Sequence, residues 1–408
     1  VYSPMLAGWV SPRSFKGDVP VWAPASRIGR PDAQSSFYGQ QIRAGLAAND
    51  PSQLVLDREF ETQSIDPVFL EPEGGIAWYD SRARALELVV GVQSPAEVTE
   101  SLAFLLGATR QSLRPTKVHT HFAYLGGGFG GRDHTPMPLY IALAAMFFPD
   151  RPVRLANNRY EQFQSGIKRH AFKMRSRIGV DRSTGKIRAF AADHVLDGGG
   201  LANYSSTVAD VAATGAIGIY DIPKVDVTTV AVHSRGVTAG SMRGYGTLQS
   251  MTALETLIDE AAAALRIDPI EFRRRNALPT GGKTMAGNPL VGITRTPEVL
   301  EKLGKHPIWQ DRAAEKSRAQ GGVLVGTGVA CVTKDFGSGA DATLSSVAIS
   351  PDGRIAIYSD AVEMGTAIGT ALAKRVATII GGVADEVAMA KVDGFAPLEL
   401  ITSGDPFT

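Results

Sequence analysis

A chain of 408 residues that is 44% hydrophobic, with a formal net charge of +1, has enough apolar material for a substantial core in two or more lobes. That near-neutral charge argues against a dedicated nucleic-acid binder. Its single cysteine excludes an internal disulfide, and also an iron–sulfur cluster held by this chain alone.

Residues 1–50 are rich in Pro, Gly and Ser with little periodicity, and Val1 through Asp32 reads as a surface arm that needs a partner surface. The start at Val1, not Met, suggests a processed, cut or incompletely observed terminus. Leu54 to Gln63 reads as a strand. Gly75–Tyr79 and Ala85–Val90 read as a hairpin about Asp80-Ser81-Arg82. Ser94-Pro95-Ala96-Glu97 starts a helix, with Ser as cap, Pro at the first position and Glu closing a capping box. Its expected buried face is Leu102, Leu105 and Leu106, and Gly107 ends it. Lys117 to Tyr124 reads as a strand with His119 and His121 on one face. Two imidazoles could suit a metal, but no third ligand is evident in sequence, so packing or surface roles are favoured.

Leu125-Gly126-Gly127-Gly128-Phe129-Gly130-Gly131-Arg132 follows, and the apolar run from Leu139 to Phe148 after it reads as a buried helix with Pro138 in its first turn. Glycine between strand and helix permits positive φ and close approach of a ligand to the main chain. Free N–H groups there suit an anionic oxygen. The stretch formally fits Gly-x-Gly-x-x-Gly, but the residues between Arg132 and Pro138 delay the helix, and Val153-Arg154-Leu155 ends in Asn157-Asn158, not in an acid. A dinucleotide fold wants the opposite on both counts.

Lys173 to Arg188 reads as a hairpin around Asp181–Lys186, followed by a Gly- and Ala-rich passage from Asp197 to Tyr220 and a strand from Val225 to His233. Ser205-Ser206 has no readable His and Asp partners, and no Gly-x-Ser-x-Gly elbow occurs. Gly240-Ser241-Met242-Arg243-Gly244-Tyr245-Gly246 leads directly into a helix in which Met251, Leu254, Leu257, Ile258, Ala261 and Leu265 recur at helical spacing. Asp268-Pro269 caps a second helix, whose Arg273-Arg274-Arg275 reads as a solvated face. Residues 279–322 are polar and loop-rich, and Val323-Leu324-Val325-Gly326 opens a last lobe. Cys331 lies in a small apolar run and reads as a buried structural thiol. A hairpin over Val347–Tyr358, then Glu363-Met364-Gly365-Thr366, then a helix through Ile380 complete the pattern. The fold class is α+β with two or more lobes: an arm over 1–53, a first lobe over 54–278, a linker region over 279–322 and an incomplete second lobe over 323–408.

Gly126–Arg132, Met242-Arg243-Gly244-Tyr245-Gly246 and Glu363-Met364-Gly365 together resemble the molybdenum-cofactor subunit of the xanthine dehydrogenase and aldehyde oxidase family, in order and separation. Phe69-Leu70-Glu71-Pro72, Gln93-Ser94-Pro95 and Ile270 to Asn276 fit the same family, so the likeness covers roughly residues 54–400. It implies a molybdenum–molybdopterin cofactor, with the cytosine dinucleotide form open, held by hydrogen bonds and with no protein ligand to the metal. Gly127, Gly128, Phe129 and Gly130 would lie on one side of it, Met242, Arg243, Gly244 and Tyr245 on the other, with Gly365 and Thr366 as further contacts. A guanidinium fork suits oxo and phosphate groups.

The implied reaction is hydroxylation of a carbon next to a ring nitrogen, or of an aldehyde carbon, in a small molecule, with water as oxygen source. Electrons would leave through 2Fe–2S clusters on a partner subunit, with FAD or haem as further partner-borne carriers. The family's glutamate base belongs to a segment later than Thr408, so the catalytic residue is unassigned and Glu363 is not it by position. Thr366 stands where the family often has a pterin-binding Gln. A second polypeptide would complete the large subunit, or the chain is part of one. The alternative is a non-catalytic assembly or binding homologue of the same fold. No apolar run suits a membrane span, and the expected setting is cytoplasmic, or periplasmic after export with a partner.

Overall fold

The structure, a computed structural model, describes residues 3–10, 13–15, 33–107, 115–122, 124–285, 290, 292–317, 321–334, 345–359, 361–381 and 384–389. Part of the expected arm, through Arg30-Pro31-Asp32, and the segment ending at Thr408 lie outside them. Two compact units interleave along the chain. Unit 1 comprises Val1–Ser64, His170–Ala239 and Gly244–Phe336, and unit 2 comprises Ile65–Arg169, Gly240–Arg243 and Gly337–Thr408.

In chain order the elements begin with β1 (Ser3–Val10), β2 (Arg13–Phe15), α1 (Ala33–Ala47), β3 (Gln53–Thr62), β4 (Gly74–Asp80), β5 (Ala85–Val90), α2 (Pro95–Gly107) and β6 (Lys117–Phe122). They continue with α3 (Met137–Phe147), β7 (Val153–Ala156), α4 (Arg159–Ser165), β8 (Ala171–Asp181), β9 (Ile187–Asp197), α5 (Ser205–Thr214), β10 (Lys224–His233), α6 (Thr247–Leu265) and α7 (Pro269–Asn276). The last are α8 (Thr296–Gly304), α9 (Pro307–Gln310), α10 (Arg312–Ser317), β11 (Ser345–Ile349), β12 (Ile355–Ser359), α11 (Ile368–Ile380) and β13 (Glu386–Met389).

Unit 1 is a sheet in the order β1-β10-β9-β8-β3, with β2 also paired to β10. Alternation along β8 sends Phe172, Met174 and Ile178 inward. They meet Val208, Ala212 and Ala213 of α5 and Leu254, Leu257 and Ile258 of α6 in one core. Burying each large aliphatic or aromatic side chain there contributes about 1.5–3 kcal/mol before the entropy of ordering it. β9 and β10 are parallel, so the chain needs a crossover, and α5 supplies it. In unit 2 the sheet β6-β5-β4-β7 is covered by α2 and α3, whose Leu102, Leu106, Ile141 and Ala145 pack on Leu86, Leu88 and Val90. A separate sheet, β11-β12-β13, has the crossover helix α11.

Four local expectations are corrected. Ala33–Ala47, inside the expected arm, is a helix that buries Ile42 and Leu46 on Ala189 and Ala191, and its Arg43 pairs with Asp193 at 2.6 Å and Asp226 at 2.5 Å. Residues 279–322 hold α8, α9 and α10, with Leu300 and Trp309 buried against Ile270. Leu105 and Phe147 face solvent, because α2 and α3 each bury one face only. Arg273 is fully buried, not on a solvated face. Its guanidinium meets Glu255 at 2.8 Å and Asp259 at 2.8 Å, while Arg274 and Arg275 pair with Glu271 at the surface.

His194 of β9 is buried, near Thr229 and the Phe172 ring. Burial pushes its pKa down to about 4, against a small opposing pull from Asp193. The unfolded imidazole titrates near 6.5, so between those values the unfolded chain binds the extra proton. Stability should therefore be whole above pH 6.5 and fall as pH drops toward 4, by at most about 1.4 kcal/mol per unit. Urea unfolding at several pH values should show a steeper acid loss in the native chain than in His194→Gln. Equal slopes would show that His194 is not the group responsible.

Candidate functional site

The glycine stretch follows β6 and precedes α3, as its sequence suggested. Gly240–Gly246 stands likewise between β10 and α6, and Glu363–Ala367 between β12 and α11. Each motif is therefore a strand-to-helix turn. Each also holds a side-chain-bearing residue in the left-handed region: Phe129 at φ 53°, Tyr245 at 48° and Ala367 at 58°. Such conformations cost about 1–3 kcal/mol and persist only where neighbours over-determine them.

Unit 2 brings parts of all three motifs together. The Arg243 N–H donates to the Phe129 carbonyl at 2.8 Å, and the Leu125 N–H donates to the Glu363 carbonyl at 3.0 Å. Gly130 has φ 91°, and a Cβ there would lie 2.9 Å from the Met242 Cα, so only glycine lets these two backbones meet. Buried Arg169 donates to the Arg243 carbonyl at 2.8 Å and so fixes the second segment from behind.

Gln93 joins the first and third segments, a role not assigned from sequence. Its Oε1 accepts from the N–H groups of Gly130 at 2.8 Å and Arg132 at 3.3 Å, and its Nε2 lies 3.7 Å from the Met364 sulfur. A Cβ on Gly128 would fall 2.2 Å from that Oε1. In sequence Gln93 stands out only within Gln93-Ser94-Pro95, and nothing local predicts contacts 37 and 271 positions away.

Within this frame the candidate cofactor residues sort by environment. Phe129 is 46% exposed despite its constrained backbone. The Arg243 side chain is exposed and has no hydrogen bond or ion pair to another side chain among the described residues. Met242 is half-buried, and Gly365 and Thr366 are exposed. Gly127, Gly128 and Gly130 form the turn around Phe129. Gly244 and Tyr245 lie past the point where the chain enters unit 1. There the Gly244 carbonyl accepts from the N–H and hydroxyl of Thr247 at 3.0 and 2.5 Å, and the Tyr245 ring packs edge-on to Tyr204.

Glu363 has a structural duty in the third motif. Its carboxylate accepts from the N–H groups of Gly365 at 2.8 Å, Ala367 at 3.0 Å and Gly369 at 3.3 Å, at the start of α11. Partial burial works against its charge, but those backbone donors hold its pKa below the usual carboxylate range.

The other candidates have partners of their own, and Cys331, expected to be buried, is half-buried. Glu87 bridges His119 at 2.7 Å and His121 at 3.0 Å, and among the described residues no group of three or more His, Cys, Asp or Glu could hold a metal ion. Ser205 does have a partner, His170 at 2.8 Å, but both are fully enclosed in unit 1. The Cys331 thiol is pushed up to about 11, first by burial and then by Glu255. No helix among the described residues is long and apolar enough to cross a membrane.

A family model described as a molybdopterin cofactor-binding domain matches residues 32–277, and a second with the same description matches 302–394. The xanthine dehydrogenase molybdenum-binding subunit of Escherichia coli O157:H7 is 28% identical over 81% of this chain and 44% of its own length. The nicotinate dehydrogenase large molybdopterin subunit of Eubacterium barkeri is 29% identical over 64% of this chain and 60% of its own. The chain thus spans less than half of the xanthine dehydrogenase relative. Among solved structures, quinoline 2-oxidoreductase from Pseudomonas putida 86 shares the fold, with a TM-score of 0.71 over 82% of this chain and 44% of that one at 23% identity.

Proposed function

This chain belongs to the molybdopterin cofactor-binding domain family, and from that premise we propose that it is the cofactor-binding part of a multi-subunit molybdenum hydroxylase. The observation that carries the proposal is the meeting, in unit 2, of backbone from three motifs far apart in sequence, with Phe129 and Arg243 left exposed beside their shared hydrogen bond. A turn that served only to reverse the chain would give no reason for an aromatic ring to be held in the left-handed region and still face outward.

The N–H groups of Gly126, Gly130, Gly131 and Arg132, expected to be free for an anion, donate within the protein, so it is the exposed Arg243 guanidinium that suits an oxygen-rich, anionic group. The loop backbone approaches without side-chain bulk at Gly127, Gly128 and Gly130. Arg243 offers a planar fork, which an ammonium does not. Met242, Gly244, Tyr245, Gly365 and Thr366 complete the proposed contacts. When bound, the cofactor would supply oxidation of an N-heteroaromatic or aldehyde carbon with oxygen from water. The chain's own residues hold and orient it, and Gln93 keeps the Gly130 and Arg132 N–H groups occupied so that the turn keeps its shape.

Residues 54–278 and 323–408 are proposed as the two cofactor-binding lobes, near the spans matched by the family models. Because the lone thiol Cys331 cannot hold a cluster, the proposal places 2Fe–2S clusters outside these residues, on a partner subunit, with FAD or haem as further carriers. The cytosine dinucleotide form of the pterin belongs to the same proposal. So do a cytoplasmic setting, or a periplasmic one after export with that partner, and a further chain segment carrying the glutamate base.

The expected result on freshly purified complex is about one molybdenum per copy of this chain, by elemental mass spectrometry, with extractable pterin. Neither molybdenum nor pterin, from a host able to make the cofactor, would sink the proposal.

A further inference from the structure

We propose that Glu71 is a positioning residue of the candidate cofactor site: with Arg132 it ties the two ends of the glycine loop together and so holds Phe129 in place. The inference rests on the cofactor reading above for its purpose, but not for its geometry. One carboxylate oxygen, Glu71 Oε2, accepts from the Gly126 N–H at 2.7 Å and from Arg132 Nη1 at 3.2 Å, so it spans the first and last residues of the loop. The backbone of Glu71 repeats the link. Its N–H donates to the Gly126 carbonyl at 3.3 Å, and its own carbonyl accepts from Arg132 Nη2.

Arg132 is enclosed and cannot turn elsewhere. Its side chain is 1% exposed, and its guanidinium lies 4.5 Å from the centre of the Phe69 ring. Burial disfavours its charge, and Glu71 and then Glu73 oppose that effect. The Glu71 side chain, by contrast, is 50% exposed, which makes it the replaceable half of the clamp. Gln93 holds the middle of the same loop through Gly130. With the ends and the middle fixed, Phe129 is the residue of the turn whose side chain faces outward, since Leu125 and Arg132 are buried and the others are glycine. A charge-assisted clamp of this kind limits the loop's motion without filling the space beside it.

The test is Glu71→Ala in the purified complex, read by amide hydrogen exchange and by molybdenum per chain. Alanine removes the oxygen that both donors share, and the side chain is half exposed, so the variant folds. Exchange should accelerate at least tenfold across residues 124–133, stay unchanged in β4 and β5, and be accompanied by at least a threefold loss of retained molybdenum. Arg132→Lys should give the same pattern, because one ammonium cannot span both the carboxylate and the carbonyl. Unchanged loop exchange would overturn the clamp. Uniform acceleration through unit 2 would overturn it too, by showing a general packing role. So would faster loop exchange with full molybdenum retention. A native complex without molybdenum would defeat the cofactor reading instead, and the exchange pattern alone would then decide the clamp.

Discussion

Replacing Arg273 with alanine should destabilise the chain by about 3–5 kcal/mol, the usual result of removing one partner of a buried ion pair. Glu255 is buried and accepts from Arg273 Nε at 3.0 Å and Nη2 at 2.8 Å, from the Tyr220 hydroxyl, and from the Cys331 N–H at 2.8 Å. Burial works against the guanidinium charge, but Tyr220, Glu255 and Asp259 outweigh it and the pKa of Arg273 rises. Without Arg273 the Glu255 carboxylate would lose its strongest charge partner inside the protein. Arg274→Ala and Arg275→Ala should each cost less than about 1 kcal/mol, since their pairs with Glu271 are exposed. Urea unfolding of the three variants gives the comparison. Arg273 draws the Cys331 pKa down against burial and Glu255, so in folded Arg273→Ala the thiol should react more slowly with a disulfide reagent. A loss below about 1 kcal/mol for Arg273→Ala would show that the buried network is not what holds α6 to α7.

The burial of Arg273 was not legible because its cause is not local. Three arginines in a row look like a charged face. What distinguishes the first is that α7 aims it at Glu255, 18 positions earlier on α6. α5 is illegible in sequence for a different reason: its buried face is Val208, Ala209, Ala212 and Ala213, too small to raise a helical pattern above the surrounding glycine and alanine. Where periodicity was strong, as at Met251, Leu254, Leu257 and Ile258, the helix lies where the sequence placed it. The glycine motifs were legible as turns because a strand precedes and a helix follows each one. Their convergence was not, since it depends on Arg243 reaching Phe129, 114 positions apart by their numbers. The holders of the loop, Glu71 and Gln93, are ordinary polar residues whose role appears only when the chain is folded around them.

Phe129→Ala and Arg243→Lys should both fold normally and lose most of the bound cofactor. The backbone at Phe129 already has φ 53°, and alanine can occupy that region as readily as phenylalanine, so truncation removes the ring without forbidding the turn. With the ring 46% exposed, little core packing is lost. Arg243 is exposed and free of side-chain partners among the described residues, so its replacement by lysine leaves the fold's own contacts unchanged. A lost charge-assisted hydrogen bond is worth about 1.5–3 kcal/mol, or roughly ten- to a hundredfold in affinity. Gly130→Ala provides the contrast. It combines a φ of 91° with a Cβ 2.9 Å from the Met242 Cα, so it should lower the melting temperature and empty the site together. Melting temperature and molybdenum content measured on all three variants separate the two kinds of loss. Native molybdenum content and native turnover in both Phe129→Ala and Arg243→Lys would place the cofactor elsewhere. A fall in melting temperature as large as that of Gly130→Ala would mean that these side chains support the turn and do not face a ligand.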